Sequence, residues 1–406
     1  MTILEGHKEI DVPAGVPVWD IDPYDPAVLT NPTDYYGELR SKGPFAYIPR
    51  YSILACGRYD ETKEVFSDWA RFVSSRGVGL QDFSLEEPWR PPSIVLEKDP
   101  PDHTRARTVI ERALSTRAVR QLGESFRERA EDLIDELLDK GTFEAVEELA
   151  ETYSTTVFPD AVGFQGGDRR LVDYGDMVFN ALGPDNDLRR NAMAKGPQVV
   201  PWIMEQCQRE RLKPGGFGAA IYAASDTGEI TEEEAGLLVR SLLSAGVDTT
   251  VAVLGSAMWC LAHNPGQFQR LKEDPNMALW TFEETLRYTS PIHSFCRTAN
   301  ADTEVSGTKI VEGTKILCVL GSANLDEDHY PKADTFDIER RPSDHLALGV
   351  GIHGCVGQNV ARAEADAVLT AISNKVGSIE LAGEPVWRPN NSVHALDRLP
   401  VIFRGK

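Results

Sequence analysis

The sequence predicts a mainly α-helical fold with a small β region in front of the helical body. Two short apolar runs, residues 45–48 and 52–56, are separated by a Pro-Arg pair, as in a β-hairpin. From Thr104 onward the apolar residues follow a helical period, with few glycines or prolines before Gly141. The longest helical pattern covers residues 231–264. These observations indicate short strands first and long helices after them.

The 406 residues are expected to form one domain, because no Pro/Gly/Ser-rich linker, charge block or repeat divides them. We expect a β-rich part at about residues 40–100, a helical body at about 104–290, and strands with a glycine-rich loop at about 291–406. The composition, 41% hydrophobic and 26% charged, is typical of a soluble protein with a large core. The net charge of −21 argues against nucleic acid or an anionic membrane as a partner.

The cysteines indicate a reducing compartment. The chain has six, none of them in a CxxC pair, so neither a disulfide framework nor a zinc ribbon is predicted. Residues 1–22 contain acidic and polar residues throughout and no apolar segment for secretion or anchoring. We therefore expect a cytoplasmic protein.

A possible anion-binding loop lies at residues 90–96. Arg90 and Ser93 flank two prolines that keep the backbone extended, and an apolar run through Leu96 follows. In a generic protein this is a solvated loop with a surface arginine. The functional alternative is that Arg90 and Ser93 hold an anionic group against an apolar wall.

Two further segments carry candidate side chains. His103 and Arg107 are four residues apart at the start of a predicted helix, so they project from one face. Phe179 and Leu182 lie on one face of a helix end that Gly183 and Pro184 break. For the first pair a surface position is the default interpretation, and for the second it is core packing.

The long helix over 231–264 begins with a Thr231/Glu234 capping box and is stopped by Pro265. It is apolar enough to raise the question of a membrane span, but its charged, serine and threonine residues argue against one. Small and polar residues form one stripe along it, which leaves room for a flat cofactor and its ligand. The stripe consists of Ser241, Ser244, Ala245, Asp248 and Thr249. Hydroxyl bonding to the preceding turn is the ordinary role of such serines and threonines and would bend the helix.

Glu284 and Arg287 form an i, i+3 pair on the next helix, which contributes little if it is exposed. After Pro291, residues 292–297 read as an extended strand in which Phe295 and Arg297 alternate with their neighbours.

The loop at residues 346–357 surrounds Cys355 with four glycines and precedes a helix-like run from Gln358 to about Lys375. A cysteine at a helix N-terminus is favoured as thiolate, which is a soft ligand for iron. Three other interpretations are open. A GxGxxG dinucleotide motif lacks a preceding strand, a zinc site lacks a second Cys/His pair, and a buried structural cysteine is the plainest alternative.

The loop resembles the haem-ligand loop of cytochrome P450, FGxGxHxCxG, with Leu348 in place of the usual Phe. AGxDTT at 245–250, ExxR at 284–287 and HxxxR at 103–107 match further motifs of this family, in the expected order. The resemblance implies the cytochrome P450 fold, with haem b between the long central helix and the helix after the cysteine, and Cys355 as the axial iron ligand.

The resemblance also implies roles for other residues. The predicted haem-binding residues are His103, Arg107, Arg297, Leu348, Gly349, His353, Cys355 and Gly357. Asp248 and Thr249 are the acid–alcohol pair that delivers protons as dioxygen is cleaved. Glu284 and Arg287 are expected to lock onto Arg340 in a structural role.

Four stretches, residues 74–80, 88–93, 178–181 and 238–245, are similar to those of bacterial members that oxidise para-substituted benzoates, notably by O-demethylating 4-methoxybenzoate. On that pattern the substrate carboxylate lies near Arg90, Ser93 and Ser241, and the rest of the pocket consists of Leu96, Phe179, Leu182, Ser244, Ala245 and Phe295. Leu182 stands where this subgroup tends to have a second Phe. A differently shaped para pocket, for alkyl benzoates or lignin-derived methoxy acids, is therefore open.

The implied partners are O2, a small aromatic carboxylate, and a ferredoxin or flavodoxin-type protein that passes on two electrons from an NADH-dependent reductase, with no nucleic acid and no membrane. Two other classes remain. One is a monooxygenase for a bulky terpenoid or macrolide, and the other is a haem sensor, carrier or peroxide-using enzyme. The Asp248–Thr249 pair speaks against the second class, because peroxide users do not need that proton relay.

Overall fold

Sixteen α-helices and four small sheets make up the described residues, 8–164 and 168–406, of a computed structural model. The helices are α1 (Pro26–Thr30), α2 (Thr33–Ser41), α3 (Tyr59–Ser67), α4 (Asp102–Ala113), α5 (Thr116–Lys140), α6 (Thr152–Val162), α7 (Arg170–Asn180), α8 (Asp187–Met193), α9 (Gly196–Gln206), α10 (Phe217–Asp226), α11 (Glu232–Ala245), α12 (Asp248–His263), α13 (Pro265–Glu273), α14 (Ala278–Thr289), α15 (Leu320–Asn324) and α16 (Gln358–Lys375). The strands are β1 (Ala46–Ile48), β2 (Ile53–Cys56), β3 (Phe72–Val73), β4 (Thr142–Glu144), β5 (Phe295–Ala299), β6 (Thr303–Val305), β7 (Thr308–Ile310), β8 (Lys315–Cys318), β9 (Val376–Leu381), β10 (Val386–Arg388), β11 (Ala395–Arg398) and β12 (Pro400–Gly405). The prediction of a mainly α fold with a small β region is confirmed.

The largest sheet joins strands from the first hundred residues to two strands between residues 295 and 318. Its strand order is β1-β2-β8-β5-β3, in which β1 and β2 form the predicted hairpin and β2 runs parallel to β8. Cys56 pairs with Cys318 in that register. β5 therefore lies beside strands from the first hundred residues, and its side chains reach the same region as the 90–96 loop.

The helical pattern after Thr104 forms α4 and α5, and α5 ends at Gly141, whose φ of +76° suits glycine. α5 packs along α16, the helix that follows Cys355, and buries Val119, Phe126 and Ala130. This contact fixes the direction in which the cysteine loop enters α16.

The long central helix starts and stops as predicted but is not continuous. The Thr231 hydroxyl accepts from the Glu234 N–H (3.1 Å) and the Glu234 carboxylate accepts from the Thr231 N–H (2.8 Å), which completes the capping box. Between α11 and α12 the helix is interrupted at Gly246 and Val247. The Thr249 hydroxyl donates to the Ala245 carbonyl oxygen (2.6 Å), and this competition with the backbone accounts for the break.

One segment of the described residues, Glu232–His263, is long and apolar enough to cross a membrane by length and composition alone. Of its most apolar window, 67% is buried inside the protein, as in the core helix of a folded domain. The prediction for residues 1–22 concerns in part residues 1–7, which lie outside the described residues.

The Glu284–Arg287 pair is fully buried and ties α14 to the segment that leads into the cysteine loop. The Arg287 guanidinium donates twice to the Glu284 carboxylate, at 2.8 Å each, and also to the carbonyl oxygens of Asn324 and Ala333. Arg340 donates to the same carboxylate from Nε at 3.2 Å. Because these partners come from three segments between residues 324 and 340, the pair stabilises the conformation of the chain that leads to Leu346.

Candidate active site

A cavity of about 260 Å³ lies between α11–α12, the end of α7, the 90–96 loop, β5 and the cysteine loop. Most of the predicted site residues line it: Arg90, Ser93, Leu96, Arg107, Phe179, Leu182, Ser241, Ser244, Ala245, Thr249, Phe295, Arg297, Leu348, Gly349, His353, Cys355 and Gly357. His103 and Asp248 lie behind this wall, in the contacts described below. The sequence motifs, far apart along the chain, therefore meet around one largely apolar space.

The cysteine loop presents Cys355 to the cavity. Gly349 and Gly351 have φ of +70° and +73°, conformations that favour glycine, and they turn the chain so that the Cys355 N–H donates to the Leu348 carbonyl oxygen (2.7 Å). Gly357 then caps α16. The thiol thus sits just before a helix N-terminus, as the sequence predicted.

The charge state of Cys355 differs from the expectation for a helix start. Burial raises the pKa of the Cys355 thiol, and the N–H groups of Gly357 and Gln358 and the Arg107 guanidinium oppose this only in part. In the polypeptide alone, desolvation raises the pKa of the Cys355 thiol more than the N–H groups at the helix end lower it. A coordinated metal ion reverses the order, since a thiol that binds a metal is deprotonated outright.

Beside the cysteine loop, buried polar atoms are left without partners among the described residues. Both ring nitrogens of His103 and of His353 have none, and neither has Nη2 of Arg297. The two imidazole rings pack edge to face at 4.5 Å, and burial lowers the pKa of His353 to about 3. Arg107 reaches the same place and donates to the Gly354 carbonyl oxygen at 2.6 Å.

These observations fit the group that the sequence resemblance implies. Haem b needs a soft axial ligand, an apolar slot and donors for two propionates. Cys355 supplies the first, and the cavity walls supply the second. The unpartnered donors of Arg297, His103 and His353, with Arg107, supply the third, because a buried polar group without a partner is costly and a bound carboxylate would satisfy it. The propionate contacts themselves stay a prediction.

The acid–alcohol pair is split between two environments. Thr249 lines the cavity, and its hydroxyl donates to the Ala245 carbonyl oxygen. Asp248 is 1% exposed and accepts from Nη2 of Arg388 at 2.9 and 3.2 Å. Asp176 lies 3.9 Å from the same guanidinium. Asp248 is thus held in an ion pair beside the cavity rather than on its wall.

Arg388 and Glu364 escaped sequence reasoning. Arg388 follows Asp248 by 140 residues in a short strand, with no local signal of its role. Glu364 lies on the buried face of α16 and lines the cavity, and both of its carboxylate oxygens are buried. Burial raises the pKa of Glu364 to about 8, so it is protonated at neutral pH. Its signal was an acidic residue on the apolar face of the helix after Cys355.

The apolar part of the cavity is built from several elements. Phe179 and Leu182, at the end of α7, pack in one cluster with Val78, and Leu96 and Phe295 pack against it. Ala245 faces the cavity at the break between α11 and α12. This part of the wall is therefore apolar and partly aromatic.

The anion-binding prediction for the 90–96 loop needs correction. Arg90 and Ser93 do hold an anionic group, but that group is a carboxylate of the protein itself. Glu97, 2% exposed, accepts from Arg90 Nη1 at 2.9 Å and from the Ser93 N–H at 2.6 Å. Local spacing could not show this, because an i, i+7 pair forms only when the backbone between its members turns.

A second arginine adds a positive charge beside the Arg90–Glu97 pair. Arg240 on α11 is 4% exposed and donates to the Pro91 carbonyl oxygen at 2.9 Å. Within residues 8–164 and 168–406, no carboxylate lies within 4 Å of its guanidinium. Arg90, Arg240 and Glu97 together carry a net charge of +1. Sequence analysis missed Arg240, although it directly precedes Ser241.

The hydroxyl groups beside these arginines bond to one another and to the backbone. Ser241 donates to the Leu237 carbonyl oxygen (2.9 Å), and its oxygen lies 3.3 Å from that of Ser93. Ser244 donates to the Ser241 carbonyl oxygen (3.1 Å). A carboxylate bound here would have to draw these protons from weak intrahelical bonds.

Known proteins match this chain over most of its length. A family described as Cytochrome P450 matches residues 164–374. The chain is 47% identical to Cytochrome p450 CYP199A2 of Rhodopseudomonas palustris, over 96% of this chain and 95% of that protein. The solved structure of CYP109Q5 from Chondromyces apiculatus has a TM-score of 0.79 at 30% identity, and covers 95% of this chain and 99% of its own. Cytochrome P450 CREJ in complex with (4-ethylphenyl) dihydrogen phosphate has a TM-score of 0.82 at 26% identity, over 94% of this chain and 99% of its own.

Proposed function

This chain belongs to the cytochrome P450 family, and we propose that it oxidises a para-substituted benzoate, with O-demethylation of 4-methoxybenzoate to 4-hydroxybenzoate and formaldehyde as its reaction. Membership makes it a haem b monooxygenase that uses O2 and electrons from a redox partner. The substrate, its position and the nature of that partner are the proposal.

The reaction balances with one O2, two electrons and two protons. Bound haem supplies the chemistry that inserts one oxygen atom of O2 into a C–H bond of the methoxy group, and the other atom leaves as water. The hydroxylated carbon is a hemiacetal, which collapses to the phenol and formaldehyde. The chain's own tasks are to orient the ring, exclude water and deliver protons.

The charge at one end of the cavity carries the substrate proposal. Arg90, Arg240 and Glu97 leave one positive charge beside the hydroxyls of Ser93 and Ser241. Arg90 and the two serines line the largely apolar cavity, and Arg240 and Glu97 lie behind them. A carboxylate taken out of water needs such a charge, and a charge-assisted hydrogen bond contributes about 1.5–3 kcal/mol. A neutral terpene would leave the charge uncompensated.

The aromatic wall supports a flat substrate. Phe179 and Phe295 flank the cavity with the aliphatic Leu96 and Leu182. The related CREJ structure holds a 4-ethylphenyl ring that bears an anionic phosphate, which is likewise an aromatic anion with a para substituent. Leu182, smaller than Phe, leaves space for substituents larger than methoxy.

Proton delivery is assigned to Thr249 and Asp248. Thr249 places its hydroxyl on the cavity wall, within reach of a ligand there. Asp248 is turned towards Arg388, so proton transfer from it requires this ion pair to open. Thr249 is therefore the group that touches the reacting molecules, with Asp248 behind it.

A small basic hollow on the α16 side suits an acidic electron donor such as a ferredoxin. It is lined by Arg120 and Arg127 of α5 and by Arg362 and Asp366 of α16, and Arg362 also pairs with Glu283. In a chain of net charge −21 such a local excess of arginine stands out, and it would steer an acidic partner towards the haem-ligand loop. We place the enzyme in the cytoplasm, with electrons from an NADH-dependent reductase.

An optical titration tests the substrate. The ferric, haem-loaded protein is titrated with 4-methoxybenzoate, its methyl ester and a neutral terpene while the Soret band is followed. We expect a high-spin shift with the acid and a much weaker response to the ester, because only the acid meets the positive charge. An equal shift with acid and ester, or none with the acid, would remove the benzoate proposal and favour a bulky neutral substrate.

A further inference from the structure

Lys315 is a buried lysine that the reaction described above does not use. It begins β8, pairs with Thr298 of β5 and is 5% exposed. Burial lowers the pKa of Lys315 to about 8, so the side chain still carries its charge at pH 7. An ammonium group in such a place needs polar partners, since burying an unpaired charge is very unfavourable.

The partners of Lys315 are backbone carbonyl groups of one loop. Its Nζ lies 3.1 Å from the carbonyl oxygens of Arg76, Gly77 and Gly79 and 2.6 Å from that of Gln81. We call these four oxygens the carbonyl cage. Four acceptors converge on one cation, as oxygen ligands do around a bound metal ion.

The loop that carries the cage forms the back of the substrate wall. The Leu80 N–H donates to the Leu182 carbonyl oxygen (2.8 Å), and the Cys296 N–H donates to the Val78 carbonyl oxygen (2.7 Å). Val78 is fully buried against Phe179 and Leu182. A Cβ on Gly79 would lie 2.3 Å from the Leu182 carbonyl oxygen, so the two segments are in direct backbone contact.

Other groups hold the ends of this loop and leave its middle to Lys315. Asp99 accepts from the N–H groups of Ser74 and Ser75 at 3.0 and 3.2 Å. Asp82 pairs with Arg76. Within the described residues, Lys315 is the side chain that bonds the carbonyls of Gly77 and Gly79.

We propose that Lys315 is a positioning residue that sets the width of the pocket for the para substituent. Its ammonium group binds the carbonyl cage and so fixes the loop that contains Val78 and Leu80. The fixed loop holds these two residues against Phe179 and Leu182. The proposal rests on the proposed function for the identity of the substrate. Lys315 acts through the loop and touches no reacting atom.

The first measurement is backbone hydrogen exchange, which needs no turnover. Lys315→Met keeps the length of the side chain and removes its charge, and Lys309→Met, on the exposed side of β7, is the matched control. We expect the amides of Leu80 and Cys296 to exchange at least about tenfold faster in Lys315→Met than in the wild type, and at the wild-type rate in the control. The reason is that the cage carbonyls lose their hydrogen-bond donor, so the loop opens more often. Exchange as in the wild type would overturn the proposal.

The second measurement separates positioning from a purely structural role. In the wild type and in Lys315→Met, dissociation constants are measured for 4-methoxybenzoate, 4-tert-butylbenzoate and the methyl ester of the first. We expect the preference between the two acids to change by about fivefold or more, and the preference for acid over ester to stay constant. Faster exchange with unchanged discrimination between the two acids would refute the role in the pocket.

A cation supplied from solution keeps the test decisive if Lys315→Met folds poorly. Lys315→Ala leaves the carbonyl cage facing a space that K⁺ or methylammonium can enter, since carbonyl oxygens replace the hydration shell of such ions. We expect KCl or methylammonium chloride to slow hydrogen exchange at the Leu80 amide again. Choline chloride, which supplies the same anion with a larger cation, should not. No rescue by either ion would contradict the cage.

Failure of the benzoate proposal is visible separately. It would appear as a wild-type protein whose Soret band responds equally to acid and ester. Failure of the present inference would appear as unaltered exchange or unaltered substituent discrimination in the Lys315 variants.

Discussion

Replacing Arg90 with Met removes one positive charge from the end of the cavity that we propose binds the substrate carboxylate, and so tests the electrostatic balance there. The wild-type group of Arg90, Arg240 and Glu97 carries +1, whereas Arg90→Met leaves Arg240 and Glu97 with a net charge of zero. Glu97 is buried and Arg90 is partly buried, with side chains 2% and 13% exposed, so solvent screens the change little. A benzoate bound as proposed would then face the Glu97 carboxylate without its Arg90 partner.

The expected loss follows from one charge-assisted bond. At about 1.5–3 kcal/mol, and with 1.4 kcal/mol per factor of ten, the dissociation constant of 4-methoxybenzoate should rise about 10- to 150-fold. The methyl ester should change little, because it carries no charge. Optical titration of the ferric protein measures both constants, and Arg50→Met, at an exposed pair with Asp22, is the control.

A double variant checks the charge count. Arg90→Met combined with Glu97→Gln returns the net charge to +1 through Arg240, so part of the affinity for the acid should return. If Arg90→Met weakens acid and ester by the same factor, Arg90 acts through shape and the electrostatic reasoning is refuted. If the double variant binds the acid no better than Arg90→Met does, Arg240 does not serve the carboxylate.

Three further outcomes are expected. Thr249→Ala should let NADH oxidation continue while product per NADH falls about tenfold or more, and Thr249→Ser should retain coupling; equal coupling in wild type and Thr249→Ala would remove Thr249 from proton delivery. Glu284→Gln leaves Arg287 buried without its counter-charge and should lower the free energy of unfolding, measured with urea, by about 3–5 kcal/mol. The control Asp226→Asn, at an exposed pair, should change it little. A loss in Glu284→Gln as small as that in Asp226→Asn would contradict the importance of the buried pair. Glu364 keeps its proton in the folded state up to about pH 8 but releases it near pH 4.5 when unfolded, so its contribution to stability falls as pH rises between these values. In Glu364→Gln, this part of the decrease of Tm with pH should disappear. If Tm falls with pH equally in the variant and the wild type, the Glu364 carboxyl is not protonated in the folded state.

Features that depend on short stretches of chain were predictable from the sequence. The β1–β2 hairpin, the Thr231 cap and the end of α5 at Gly141 follow from patterns of two to four residues. The cysteine loop belongs here too, since Gly349 and Gly351 adopt positive φ angles in the tight loop that the four glycines indicated. Backbone sterics and hydrogen bonds between residues close in sequence decide such features. Both depend on the types of a few neighbouring residues, so they can be predicted from the sequence.

Resemblance extended this to residues that no periodicity connects. His103, Arg297 and Cys355 were expected at one site because a known family has them in that order, and the structure brings them to one place. The break at Gly246 shows the limit of periodicity, because the apolar pattern continues across it while the Thr249 hydroxyl takes a backbone carbonyl.

The class of fold, the order of the motifs and the loop that presents Cys355 follow from the amino-acid sequence. The pairing of charges within the site is visible only in the folded chain, where Glu97 pairs with Arg90, Arg388 with Asp248, and Lys315 with the carbonyl cage. The physical reason is that a buried charge takes whichever partner the packed backbone places within about 3 Å of it. That partner can lie 140 or 234 residues away, at a distance along the chain that local spacing does not encode.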